Sequence, residues 1–482
     1  MQRFLSKCGG PDTALCSPAM PAAPRRIESA KAAGMAGEHK AVSGPPHSER
    51  KRRTNPQPAT RNAQLVSGNR QAIYFRQTGG VNMKNQEGVS RRDFIRATTA
   101  AGATAAFTII KPQSVRGTAA NDAVTFVWIG AGGRGTADAK GLTAAGGKII
   151  GVADVFKDKL DAARQAFAVE QSACFEGFDA YKKVLDLKAD AAILTTPPGF
   201  RPAEFTAAVA AGKHVFMEKP IAVDTWGCHS VLSDAEKART MKLSVVVGLQ
   251  RRYSKAYQEA QKRIASGALG TIVSGRGFYL TGDVWKGRTW ARAEFPDDLH
   301  WMTKNWYYFR WLSGDLITEQ NIHNLDACNW LLGRHPERAN GYGGRKWRKY
   351  IGDIFDHFNV TYEYSGAVHL TFMSGQFCTV HDSSEQILGN DGSFTNGRGG
   401  AKIEGKNPWE WTGGEDDASR NEYEAFIASV RDGNPRTDAQ HAVEGTFTTI
   451  LGREAAYRRK EVEWKKLWDE KQKLERKAYG VS

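Results

Sequence analysis

Two groups of residues in this 482-residue chain have the types and spacing that chemistry requires. The first is Gly130-Ala131-Gly132-Gly133-Arg134-Gly135, with Asp154 beyond it. The apolar run Val124–Ile129 leads into the glycines, a helical stretch follows to about Ala145, and a second apolar run, 148–153, ends at Asp154. Strand, G-x-G-x-x-G, helix, strand, acid is the order of a dinucleotide-binding unit. Gly130 permits the tight turn, Gly132 lets backbone approach a pyrophosphate, and Gly135 lets the helix lie close on the strand. The helix N-terminus offers N–H groups to phosphate, with Gly133 and Arg134 in its first turn. Asp154 can accept from both ribose hydroxyls, which favours NAD. Lys157 could receive a 2′-phosphate, so NADP stays open.

The second group lies in "GDLITEQNIHNLDACNWLLG". Glu319, His323, Asp326 and Trp330 fall at i, i+4, i+7 and i+11, one stripe of a helix. Leu325, Cys328, Leu331 and Leu332 occupy another face, and Gly333 supplies a stop. From spacing alone, a solvated polar face with a Glu–His pair explains this stripe as readily as a site does.

Elements that must position these groups are visible as periodicity. Strands at Ala191–Leu194, His214–Met217 and 243–247 alternate with helices at 201–211 and Thr225–Thr240, which implies a parallel sheet covered on both faces. Ligands bind where such strands end, and Thr195-Thr196-Pro197 and Glu218-Lys219 stand at two of those ends. After Leu249 the period becomes two. Phe358, Val360, Tyr362 and Tyr364 share a face, Ser365-Gly366 marks a turn, and Val368, Leu370 and Phe372 resume the alternation. Further strands are expected at 271–280 and 376–382, helices at 421–432 and 443–460, and a solvated charged helix over 461–477. Five tryptophans lie between Trp285 and Trp311 beside Tyr307, Tyr308 and Phe309. Most of these aromatics are expected in a core or interface, with one or two of Trp306, Tyr307 and Trp311 lining a pocket.

The stretches "VWIGAGGRG", "VADVFKDKL" and "AAGKHVFMEKPIAVD" together resemble the Gfo/Idh/MocA oxidoreductase family, over residues 123–460. The resemblance implies an α/β plus α+β chain. It has an N-terminal Rossmann NAD(P)-binding domain (123–248) and a C-terminal domain with a large open, mostly antiparallel sheet (249–460). It implies a sugar, cyclitol or sugar-acid substrate and a homo-oligomer, dimer or tetramer, through the open sheet face. The lysine of its E-K-P motif maps onto Lys219, and its acid-x-x-x-His signature onto Glu319 and His323, with Glu where many members have Asp. Oxidising a secondary alcohol needs a base on the hydroxyl, and imidazole suits this near neutral pH. His323 is therefore the expected base, Lys219 holds the hydroxyl, and Glu319 orients the imidazole or binds a neighbouring hydroxyl. Thr195, Thr196, Pro197 and Glu218 join the nucleotide set, and Arg251, Asp326, Trp306 and Tyr307 are the candidate substrate residues. The alternatives are a lyase, epimerase or glycosidase using transient oxidation, and a non-catalytic sugar-binding protein. The Tyr-Pro-Thr-His stretch of the related glycosidases is missing.

Ser90-Arg91-Arg92-Asp93-Phe94-Ile95, followed by the apolar stretch 97–110 and Lys111-Pro112, resembles a twin-arginine (Tat) export signal. The expectation is a start at Met83, with 1–82 a start-site artefact or, as the rival reading, a disordered extension that cannot form a core, then a signal and linker over 83–122 and cleavage near 118–120. The Tat translocase would then be a partner and the protein periplasmic or otherwise exported. A Rossmann enzyme outside the cytoplasm is expected to keep its nucleotide bound. The apolar stretch is too short for a stable membrane span. Residues 1–122 carry 19 Lys/Arg against 7 Asp/Glu, and the remainder 48 against 45, so the net charge of +15 belongs mainly to the leader. Nucleic-acid binding is not supported. Cysteines and histidines lack metal-site spacing, so no metal is expected.

Overall fold

The computed structural model describes residues 123–476 apart from Lys286. The twin-arginine stretch, the start at Met83 and the cleavage site lie outside the described residues. Among those described, no helix is long and apolar enough to cross a membrane.

The first half alternates β1 (Val124–Ile129), α1 (Gly133–Ala144), β2 (Gly147–Asp154), α2 (Lys157–Phe167), β3 (Cys174–Glu176) and α3 (Ala180–Leu185), then β4 (Ala191–Leu194), α4 (Arg201–Ala210), β5 (His214–Met217), α5 (Thr225–Thr240) and β6 (Val245–Val247). The six strands form one parallel sheet in the order β3-β2-β1-β4-β5-β6. Helices cover both faces, so the central strands are apolar at every position; Phe126, Val127, Trp128, Ile193 and Phe216 are all fully buried. The order reverses between β1 and β4. A crevice opens there because the two connections leave toward opposite faces.

The second half continues with α6 (Lys255–Ala265), β7 (Ile272–Leu280), α7 (Asp298–Lys304), α8 (Arg310–Ser313), α9 (Leu316–Glu319) and α10 (Ile322–Leu332). Strands β8 (Arg338–Gly344), β9 (His357–Tyr364), β10 (Val368–Gly375), β11 (Asp382–Gly389), β12 (Gly392–Gly397), β13 (Gly400–Gly405) and β14 (Trp409–Glu410) come next. The chain ends with α11 (Ala418–Arg431), α12 (Ala439–Arg458), β15 (Val462–Glu463) and α13 (Trp464–Glu470). Nine strands form a sheet in the order β14-β13-β12-β11-β7-β10-β9-β8-β15, antiparallel except for the β7–β10 pair. Its inner face buries Phe358, Val360, Tyr362, Leu370 and Phe372 against Leu325, Cys328, Phe447 and Leu451. The opposite face leaves Tyr342 and Met373 exposed. One covered face explains the period-two sequence.

Two expectations fail here. The strand expected at 376–382 instead begins at Asp382 and runs to Gly389. Its inward side carries Glu385, buried with Arg251, Asn324 and Tyr257 as partners, so the apolar alternation that marks a half-buried strand is broken. The tail is not a solvated helix. Val462 pairs with Ala339 of β8, Leu467 is buried, Trp464 and Trp468 pack edge-on against Phe447, and Leu474 N–H donates to Asp224 at 2.8 Å. A few apolar residues dock it despite the surrounding charge.

Candidate functional site

A cleft of about 980 Å³ runs along the crevice and is closed on one side by residues from the second half. Every residue of the expected nucleotide set lines it. Gly130 has φ +92°, and a Cβ there would stand 2.6 Å from Thr196 N; a Cβ on Gly135 would stand 2.4 Å from Gly130 O. Around Gly132 and Gly133 there is no neighbour within 4 Å of such a Cβ. Two glycines are thus required by contact with protein and two face open space, the arrangement a pyrophosphate over the α1 N-terminus needs. The turn is braced from β4: Thr195 Oγ1 donates to Gly130 O at 2.7 Å and accepts from Trp128 Nε1 at 3.0 Å. Thr196 Oγ1 donates to Glu204 at 2.5 Å. Glu204 also lines the cleft, and burial pushes its carboxyl up to about 7.

Asp154 accepts from Ala131 N–H at 2.6 Å and Phe156 N–H at 2.7 Å, which aims its carboxylate into the cleft. Burial raises its pKa and the two N–H groups oppose that rise. Lys157, the expected receiver of a 2′-phosphate, points away and pairs with Asp161 at 2.6 Å in solvent. Asp158 and Lys159 line the cleft in its place, 3.6 Å apart. Arg134 lines the cleft, held by Glu218 at 2.8 Å and Asp138 at 2.7 Å.

Lys219 leaves the end of β5 and meets residues one hundred positions later. Its Nζ donates to Glu319 O at 2.7 Å and pairs with Glu319 Oε1 at 3.1 Å. The second Glu319 oxygen accepts from Gln320 Nε2, and Gln320 Oε1 accepts from Tyr279 OH at 2.7 Å. Burial holds the His323 pKa well below 6.5, and the charges of Lys219, Arg251 and Arg134 push it the same way. The imidazole is therefore neutral. Its Nδ1 has no hydrogen-bond partner among the described residues, and the ring lines the same cleft as Lys219 and Glu319.

Comparison with known proteins agrees with this geometry. Residues 124–247 match the oxidoreductase family with an NAD-binding Rossmann fold, and residues 257–395 match the GFO/IDH/MocA C-terminal domain. An inositol 2-dehydrogenase of Pseudomonas fluorescens is 30% identical over 282 residues, spanning 53% of this chain and 76% of that protein. The chain belongs to the Gfo/Idh/MocA family. It is an NAD-dependent oxidoreductase. A scyllo-inositol 2-dehydrogenase (NAD(+)) of Bacillus subtilis is 25% identical over 271 residues, covering 55% of this chain and 71% of that protein. The fold is similar to that of the WlbA dehydrogenase of Bordetella pertussis, solved with NADH and UDP-GlcNAcA (TM-score 0.57, 19% identity, 71% and 98% of the two chains). It is also similar to a Lactobacillus plantarum myo-inositol 2-dehydrogenase (TM-score 0.56, 21% identity, 71% and 99%).

Within this family enzyme, several sequence expectations are corrected. Glu319 and His323 do not share a continuous helix: α9 ends at Glu319 and α10 starts at Ile322. The Glu319 carboxylate goes to Lys219 and Gln320 and does not orient the imidazole. Asp326 is buried in a two-pronged pair with Arg252, 2.8 Å at each contact, and Arg252 stacks on Trp330. That pair is structural and lies outside the cleft. Arg251 is held by Glu385 and by Ser383 at 3.1 Å, and it too misses the cleft lining. Tyr307 is buried, its hydroxyl donating to Gln376 at 2.8 Å. Of the four substrate candidates, Trp306 alone lines the cleft, joined by Trp285, Trp290 and Arg288. Trp285 stacks on Tyr307 with centroids 5.8 Å apart. The tryptophan cluster was a signal for these residues. Gln320 and Glu204 carried none, being single polar residues whose roles depend on distant partners.

Proposed function

We propose that this enzyme oxidises a secondary hydroxyl of a sugar, cyclitol or sugar acid. The observation that carries the reading is the convergence of Lys219, pinned by Glu319, and a neutral His323 in the cleft that also holds the glycine turn and Asp154. Bound NAD supplies the hydride acceptor. Lys219 donates to the substrate oxygen and steadies the negative charge that develops as its proton leaves. Glu319 keeps the ammonium in place, and His323 takes the proton. Trp285 and Trp306 give flat apolar walls that suit the C–H face of a ring, and Arg288 offers a cation for an acidic substituent. The relatives named as inositol dehydrogenases support a cyclitol as the first substrate to try.

The twin-arginine pattern supports export and a nucleotide that stays bound through turnover. Paired oxidation and reduction of two polyols, or transient oxidation followed by return of the hydride, would then close the cycle. The exposed Tyr342 and Met373 on the outer sheet face support a dimer or tetramer built through that face. The test is to purify the enzyme without added nucleotide, denature it and quantify released NAD(H). Inositols and aldoses are then assayed with and without free NAD. Near-stoichiometric release with turnover independent of free NAD is expected. An empty protein that turns over only with free NAD would contradict the closed cycle while leaving the hydroxyl oxidation intact.

A further inference from the structure

We propose that Thr303 and Lys304, on α7 of the C-terminal domain, bind the adenosine half of the nucleotide and close it against the Rossmann domain. The inference rests on NAD occupying the cleft. Loops after β2 and β3 form the adenosine end of that cleft, since the acid ending β2 is the residue that meets the ribose. Asp154, Phe156, Asp158 and Phe178 line it from that side. Leu299, Thr303 and Lys304 line it from the opposite side, and Leu299 and Thr303, four residues apart, share one face of α7.

Two independent features point to a ligand. Thr303 is only 6% exposed, and its Oγ1 has no hydrogen-bond partner among the described residues. A buried hydroxyl that lines a cleft and lacks a partner fits a polar group arriving from that cleft. Lys304 is the second feature. Its Nζ stands 4.4 Å from the Phe156 ring centroid and 3.5 Å from Asp158, at an end of the cleft that Asp154, Asp158 and Lys159 also line. There it offsets the charge of Asp154 and Asp158 and leaves N–H donors for ribose or pyrophosphate oxygen.

The surrounding segment is built to hold α7 against the Rossmann loops. Phe295 meets Phe156 edge-on at 6.3 Å, and His300 meets Phe178 at 4.9 Å. Asn305, fully buried, accepts from Trp290 N–H at 3.0 Å and donates to Trp301 O at 3.0 Å, while Trp301 Nε1 donates to Trp290 O at 2.8 Å. Asp297 caps the helix by accepting from His300 N–H at 2.9 Å.

The test uses the full chain freed of nucleotide, titrated with NADH and with ADP-ribose, which lacks the nicotinamide. Lys304→Met keeps the aliphatic stem over Phe156 and removes the charge. It is expected to weaken both probes by the same factor, about tenfold or more, the cost of a charge-assisted hydrogen bond. Thr303→Val keeps the volume and is expected to weaken both about threefold to tenfold. Lys157→Met, at the same end but turned to solvent, should change neither. ADP-ribose affinity unchanged in both Lys304→Met and Thr303→Val would overturn the proposal. Weakening confined to NADH would overturn it as well, since the contact would then lie at the nicotinamide.

Discussion

The two ends of the cleft are assembled in different ways. The nucleotide end is local: the glycine turn, the first turn of α1 and Asp154 sit within one β-α-β unit, and their contacts follow from backbone geometry. The proposed reacting end joins Lys219, from the loop after β5, to Glu319 and His323 from the second half, with Tyr279 and Gln320 behind them. A local site is specified by spacing and is sensitive to small steric changes. An assembled site depends on long-range packing, and its residues can be polar singletons with no pattern around them.

This contrast can be broken most forcefully at the reacting end. Lys219→Met should lower kcat/KM by about a hundredfold to ten-thousandfold while leaving ADP-ribose affinity near wild type. Steady-state kinetics and a binding titration check the two halves separately. At the nucleotide end, Gly135→Ala should act on binding and folding together. Its Cβ would fall 2.4 Å from Gly130 O, backbone that cannot move without opening the turn. A loss of about 1–3 kcal/mol of stability is expected, measured by thermal melting, with nucleotide binding reduced in parallel.

Asp154→Ala should weaken NAD by about tenfold to a hundredfold through lost hydrogen bonds to the ribose and weaken NADP less, narrowing the preference. Paired titrations with the two nucleotides read this out. The pH profile gives a smaller, directional effect. In the proposed mechanism His323 works in its neutral form, and its pKa in the folded enzyme is held below 6.5 by burial and by nearby cations. Activity should therefore persist at 6.5 and fall only at lower pH, as the imidazole gains a proton. An acid limb in kcat/KM at or above 6.5 would contradict the assignment. The smallest effect is expected for Tyr279→Phe. It removes one hydrogen bond to Gln320, so kcat should drop about threefold to tenfold, with nucleotide affinity unchanged.

Legibility from sequence follows the same division. The Rossmann strands and helices were readable because both-face burial leaves unbroken apolar runs and the glycines stand at contact-limited positions. The strand Asp382–Gly389 was not, because its buried face carries Glu385, satisfied by Arg251 from far away in the chain. Arg251, Asp326 and Tyr307 looked like substrate residues since their neighbourhood was right. Only the packing shows that each already has a partner in Glu385, Arg252 or Gln376. Thr303 and Lys304 were silent for the opposite reason: nothing within α7 tells that it faces Asp154 and Asp158.

The most direct test of the central claim is rapid mixing of the NAD-loaded enzyme with a panel of inositols and aldoses, following formation of reduced nicotinamide. Wild type should reduce its nucleotide with at least one polyol, whereas Lys219→Met and His323→Asn, with NAD bound, should do so at least about a hundredfold more slowly. If either variant reduces NAD as fast as wild type, the Lys219–His323 centre is not where the hydroxyl is oxidised.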